Sequence, residues 1–196
     1  MGNVTRRFHP SAFTLLALLA AALLSGCASL AQDDPARQQL TVSVVNSLSW
    51  TNPLSGKRDG VRTSWPLLSA GGAREVFPLA QLRQCQPDAS CAWGVMRAER
   101  GVAGVRYLPS GLELDLALAL DVARHQQVEQ PEFSAAMTIP SDIAALQAQR
   151  QVRQHLRLQY GQVQHIALEF GVAYDICVRR IDAAGRALDS CDIPFI

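Results

Sequence analysis

Apolar and polar residues alternate most cleanly between Leu112 and Val122. Leu112, Leu114, Leu116, Leu118, Leu120 and Val122 take every second position, with Glu113, Asp115, Ala117, Ala119 and Asp121 between them. On a helix, steps of two residues turn by about 200° and scatter the leucines around the axis. On a strand they form one unbroken apolar face. The period therefore predicts an amphipathic strand of an antiparallel sheet, one side in a core. Val42, Val44 and Leu48 place a first strand at 40–48, and Phe133, Ala135, Met137 and Ile139 predict another. Leu156, Leu158 and Tyr160 predict a strand at 152–160, with a helix from Ser141 to about Leu156 as its rival. A long run follows from Ile166 to Val178, read as one strand bent at Gly171.

Turn formers divide these runs. Asn52-Pro53, Gly56 and Gly60 make 51–64 a loop around Lys57, Arg58 and Asp59, with Trp50 and Trp65 at its base. Residues 69–74 read as a small-residue loop, and 75–82 as a short strand or turn interrupted by Pro78. Cys91 to Ala98 and Val102 to Leu108 read as two strands around Arg100-Gly101, and 125–131 as a polar loop. Ser141-Asp142 offers an N-cap for one short helix near 141–150. Short strands with turns between them predict an all-β fold, an antiparallel β-sandwich of the immunoglobulin-like or a related kind, with a small barrel as the alternative.

Cysteines sharpen this picture. Asp182 to Gly185 closes a hairpin; with Gly185 left-handed, that register sets Cys177 opposite Cys191 and Arg179 opposite Asp189. Facing Cα atoms about 4.5–5.5 Å apart are within reach of a disulfide. Cys85 and Cys91 bracket a loop of turn formers and make a second pair. The expected bridges are Cys85–Cys91 and Cys177–Cys191, which place the domain in an oxidising compartment.

The N-terminus supplies an address. Arg6 and Arg7 precede an apolar run of 13 residues, Ala12 to Leu24, which is too short to span a bilayer core. Basic, apolar and small-residue segments in that order describe a secretory signal peptide. Leu24-Ser25-Gly26-Cys27 resembles the lipobox of bacterial lipoproteins, a likeness confined to about the first 27 residues. The resemblance implies cleavage before Cys27, lipidation of its sulfur and acylation of the new N-terminus. Two or more acyl chains hold a protein stably at a bilayer. By the same resemblance Ala28 after the cysteine implies the outer membrane; which leaflet is faced is not written in the sequence, and the domain is expected on the periplasmic side. The organisation expected is a signal peptide at 1–26, a flexible tether at 27–39 and one β domain at 40–196.

Charge and chemistry narrow the function. Arg6 and Arg7 leave with the leader, so the mature chain keeps 16 of its 18 basic residues against 17 acidic ones. That balance, without charge blocks, argues against a nucleic-acid partner. No cofactor and no metal is expected: the cysteine spacings do not suit zinc, and His125, His155 and His165 nominate no third ligand beyond a meeting of His155 with His165 across the Gly161 turn. Glu113, Asp115 and Asp121 share one strand face, where an acidic solvent face requires no catalytic role. No nucleophile elbow or phosphate-cradling loop occurs, and no catalytic residue is nominated.

The expectation is a lipid-anchored envelope lipoprotein acting as a non-enzymatic interaction or accessory module. Its contacts are the bilayer, through acylated Cys27, and envelope proteins. Trp50, Lys57, Arg58 and Trp65 form the candidate partner-binding loop, Trp being enriched in binding hot spots; alternatively the tryptophans pin the loop's base to the core. The other readings are a small-ligand or inhibitor module and a hydrolase without a recognisable motif.

Overall fold

The computed structural model describes residues 41–67, 73–131 and 133–194. The leader, Cys27 and the 27–39 segment lie outside the described residues. Among the described residues eleven strands follow one another: β1 (Thr41–Thr51), β2 (Arg58–Leu67), β3 (Ala73–Val76), β4 (Ala80–Cys85), β5 (Cys91–Leu108), β6 (Gly111–Ala123), β7 (His125–Gln130), β8 (Phe133–Thr138), β9 (Ala148–Gln159), β10 (Val163–Ala167) and β11 (Ala173–Ile181). Sheet A runs β10-β11-β1-β2. Sheet B runs β3-β5-β6-β9, with β4 also on β5, and β7 with β8 forms a separate two-stranded ribbon. All strand pairs are antiparallel, and both sheets end in edge strands, so the fold is an open β-sandwich and not a barrel.

The core lies between the sheets. The six alternating residues of β6 are all at most 5% exposed and pack with Val44, Leu48, Trp50, Tyr174, Ile176 and Val178 of sheet A. Phe77 meets Tyr174 edge to face at 6.3 Å. Burying one such leucine contributes about 1.5–3 kcal/mol. β9 is a strand, starting earlier than its apolar run.

Several expectations need correction. Residues 141–150 form no helix: Trp93 N–H donates to Ala144 O at 2.8 Å, and Leu146 N–H to Trp93 O at 2.7 Å. β6 ends opposite Val95, and the 144–146 segment takes the vacant place beside β5. These bonds outweigh a two-turn helix, which is marginal alone. Residues 125–130 are a strand, paired with β8 along their whole length despite their polar side chains. Arg100-Gly101 is no turn but the middle of the 18-residue β5. The irregularity lies further on, as a bulge between Ala103 and Arg106 with Gly104 at φ 60°.

The 51–64 loop contracts to a tight turn, since Asn52 N–H donates to Lys57 O and β2 begins at Arg58. The single strand 166–178 is two strands, β10 and β11, joined by a 3-10 turn at Glu169–Gly171 with φ 57° at Phe170. Ile166 faces Tyr174 across this hairpin.

At the C-terminus, Ile181 pairs with Ala187 and Gly185 is left-handed at φ 79°, as the hairpin register requires. The pairing then stops. β11 already has β1 on one side and β10 on the other, so the segment after Leu188 crosses the outer face of sheet A instead. Asp189 consequently binds Arg180, not Arg179. Both disulfides form as expected, Cys85–Cys91 and Cys177–Cys191. Cys177, Cys191, Val45 and Ile193 make a small second core on that outer face.

Candidate functional site

The two sheets differ on their outer faces. β1 is buried along nearly its whole length on both sides, and the C-terminal segment lies over Val45. Arg62 Nη2 donates to Cys191 O at 3.1 Å and ties that segment to β2. Sheet B keeps an open outer face made of the odd-numbered residues of β6 and β9. Ladder positions set Asp121 beside Gln149, Ala117 beside Arg153, Asp115 beside His155 and Glu113 beside Arg157. On β5, Arg106 faces Glu113 and Arg97 faces Asp121.

Most charges on this face are matched. Arg106 Nε donates to Glu113 Oε2 at 3.0 Å, and this bond holds the Glu113 carboxyl below the usual carboxylate range. His155 Nδ1 lies 2.8 Å from Asp115 Oδ1, and Arg74 and Arg97 both bond Glu99. A carboxylate held low by an arginine is poorly matched to proton transfer near neutral pH. The edge strand β9 is different. It carries Arg150, Arg153, Arg157 and His155 but no acid. The side chains of Arg150 and Arg153 are exposed and make no ion pair or hydrogen bond among the described residues.

A second polar group lies inside the sandwich, where β2 meets β3. Asn46, fully buried, donates Nδ2 to Thr63 Oγ1 at 2.7 Å, and the Thr63 hydroxyl donates to Glu75 Oε2 at 3.1 Å. Glu75 Oε2 also accepts from Arg100 Nη2 at 2.6 Å. The Arg100 guanidinium lies 3.6 Å over the Trp65 ring, an arrangement with cation–π attraction. Burial pushes the Tyr174 phenol well up, and its hydroxyl has no partner among the described residues. These side chains cross-link the two sheets. A hollow of about 200 Å³ is lined by Arg100 together with Arg74, Glu99 and Arg153, and one of about 610 Å³ lies beside the C-terminal segment 187–194.

The residues singled out in the sequence fall as follows. Trp50 and Trp65 face the core, Trp50 at 8% exposure and Trp65 partly buried. Arg58 donates Nη1 to Gly171 O and Nη2 to Ser49 Oγ, each at 2.6 Å, and so braces the β10–β11 turn. Lys57 stands exposed on the turn beside Leu54, which is 81% exposed. The structure thus brings Trp65 to Arg100 and leaves Lys57 at the tip.

The histidines do not meet. His125 on β7 bonds Thr138, His155 on β9 bonds Asp115, and His165 on β10 bonds Asp175. His155 and His165, for which a meeting across the Gly161 turn was one option, lie in different sheets because the chain crosses the sandwich there. No group of three metal-ligating side chains gathers among the described residues. Sequence reasoning missed Arg100, Glu75 and Asn46, whose polarity gives no hint of burial. It also missed the β9 edge, whose readable signal is twelve residues without an acid.

Compared with family models, curated proteins and solved structures, the chain matches none. Its geometry defines a class nonetheless: a disulfide-bridged antiparallel β-sandwich with one sheet closed over and the other open.

Proposed function

We propose that this chain is a lipid-anchored envelope lipoprotein of the outer membrane whose β domain is a non-enzymatic interaction module. The observation that carries this reading is the difference between the sheets. Sheet A is clasped shut by Cys177–Cys191, whereas sheet B presents a broad charged face ending in the edge strand β9. Two disulfides suit an exported domain. The lipobox ending in Cys27 supplies the anchor, so the domain needs no membrane-binding surface of its own.

Two measurements on protein from its native membrane test the proposal. Mass spectrometry is expected to find a diacylglyceryl thioether on Cys27, and a bare Cys27 overturns the anchor. In-cell crosslinking from sheet B is expected to capture envelope proteins reproducibly. Capture of nothing at every sheet B position overturns the module.

A further inference from the structure

We infer that β9 is a β-augmentation edge that accepts an extended, acidic segment of a partner protein. The inference rests on the interaction-module reading and names its surface and the partner's chemistry. An edge strand presents a row of unpaired backbone N–H and C=O groups, and an extended peptide can add to it as one more strand. β9 is twelve residues long, without proline or glycine, and among the described residues no strand pairs with its outer edge. The other long edge, β2, carries Gly60 and Pro66.

Charge selects the occupant. Arg150 pairs with Leu120 and Arg153 with Ala117, so the two guanidinium groups leave opposite faces of β9. Neither has a partner among the described residues, while Val152 between them is half-buried. A second copy of this chain is a poor occupant. β9 has no acid to set against its own three arginines in any register, and like charges facing across strands are destabilising. A strand with carboxylates opposite Arg150 and Arg153 gains on both faces. In antiparallel register those acids stand three residues apart, with an apolar residue opposite Val152 immediately after the first of them. The same arginines repel basic edges and gain nothing from neutral ones, so selectivity comes from repulsion as well as attraction.

The test uses the purified full chain and two synthetic ten-residue Thr/Val peptides. One carries Glu at the two matched positions, the other Lys. The Glu peptide is expected to bind about tenfold or more tightly than the Lys peptide, with salt weakening the difference. It is also expected to slow amide hydrogen exchange within 148–159 and nowhere else. The charge-reversed variant Arg150→Glu/Arg153→Glu is expected to invert the preference. Equal affinity for both peptides, no binding of either, or protection confined to another strand overturns the inference without requiring any variant. Crosslinking separates it from the broader reading. Partners retained unchanged by the charge-reversed variant overturn the β9 edge alone, and partners absent from the wild type overturn the module itself.

Discussion

Glu75 and Arg100 face each other directly across the β3–β5 ladder, on the side that carries the core. Arg100 is 3% exposed and forms an ion pair with Glu75. Removing one member of such a pair leaves a buried charge unmatched, at a cost of about 3 kcal/mol or more. Glu75→Gln is therefore expected to lower the stability measured by urea unfolding by about that amount. Glu75→Met/Arg100→Met is expected to return to within about 1 kcal/mol of wild type, since an apolar pair can replace a buried ionic one. Equal losses in both variants refute this account.

Two glycines separate packing from backbone conformation. A Cβ on Gly111 would stand 1.9 Å from Leu158 O, a backbone atom that cannot rotate away. Gly111→Ala is expected to cost at least about 2–3 kcal/mol through overpacking. Gly185 has open space around it but a φ of 79°. Gly185→Ala is expected to cost about 1 kcal/mol, from left-handed strain alone. Thermal unfolding of both variants checks the order, and a reversal contradicts it.

The disulfides are not equivalent. Cys177–Cys191 holds the C-terminal segment over Val45, whereas Cys85–Cys91 closes an exposed turn. Replacing Cys177 and Cys191 by serine is expected to cost about 3 kcal/mol, or roughly 6–12 °C in Tm. Limited proteolysis is then expected to cut after Leu188. Replacing Cys85 and Cys91 is expected to cost about 2 kcal/mol and to open no new C-terminal site.

Acid acts on the same segment. Hydrogen bonds from the Arg180 guanidinium, with help from its backbone N–H, hold the Asp189 carboxyl below the usual carboxylate range. A carboxyl lowered on folding contributes its full stabilisation above its unfolded value, near 4, and loses it as pH falls through the lower folded value. The stability difference between wild type and Asp189→Asn is expected to be constant from pH 7 to 5 and to shrink below pH 4. A difference that grows on acidification contradicts the assignment.

Much of the fold was legible in the order of residues. The alternation in 112–122 marked β6 and its buried face, and the cysteine count with the Asp182–Gly185 turn marked the Cys177–Cys191 pair, although the hairpin register itself ends at Leu188 and the bridge forms across the outer face of sheet A. Other features hid for identifiable reasons. β10 and β11 read as one strand because Ile166 and Tyr174 face each other: pairing two even-numbered residues preserves the alternation straight through the hairpin. Arg100-Gly101 read as a turn because a charge beside a glycine ordinarily is one. The histidines looked ready to meet because their separation along the chain says nothing of a crossing between sheets.

Periodicity, turn chemistry and loop closure are short-range physics, so strands, core faces and disulfide pairs are written in neighbouring residues. Burial of Arg100, the clasp over sheet A and the bare β9 edge depend on which strand lies beside which. That choice is a sum of contacts between residues far apart in the chain, and no local stretch carries it.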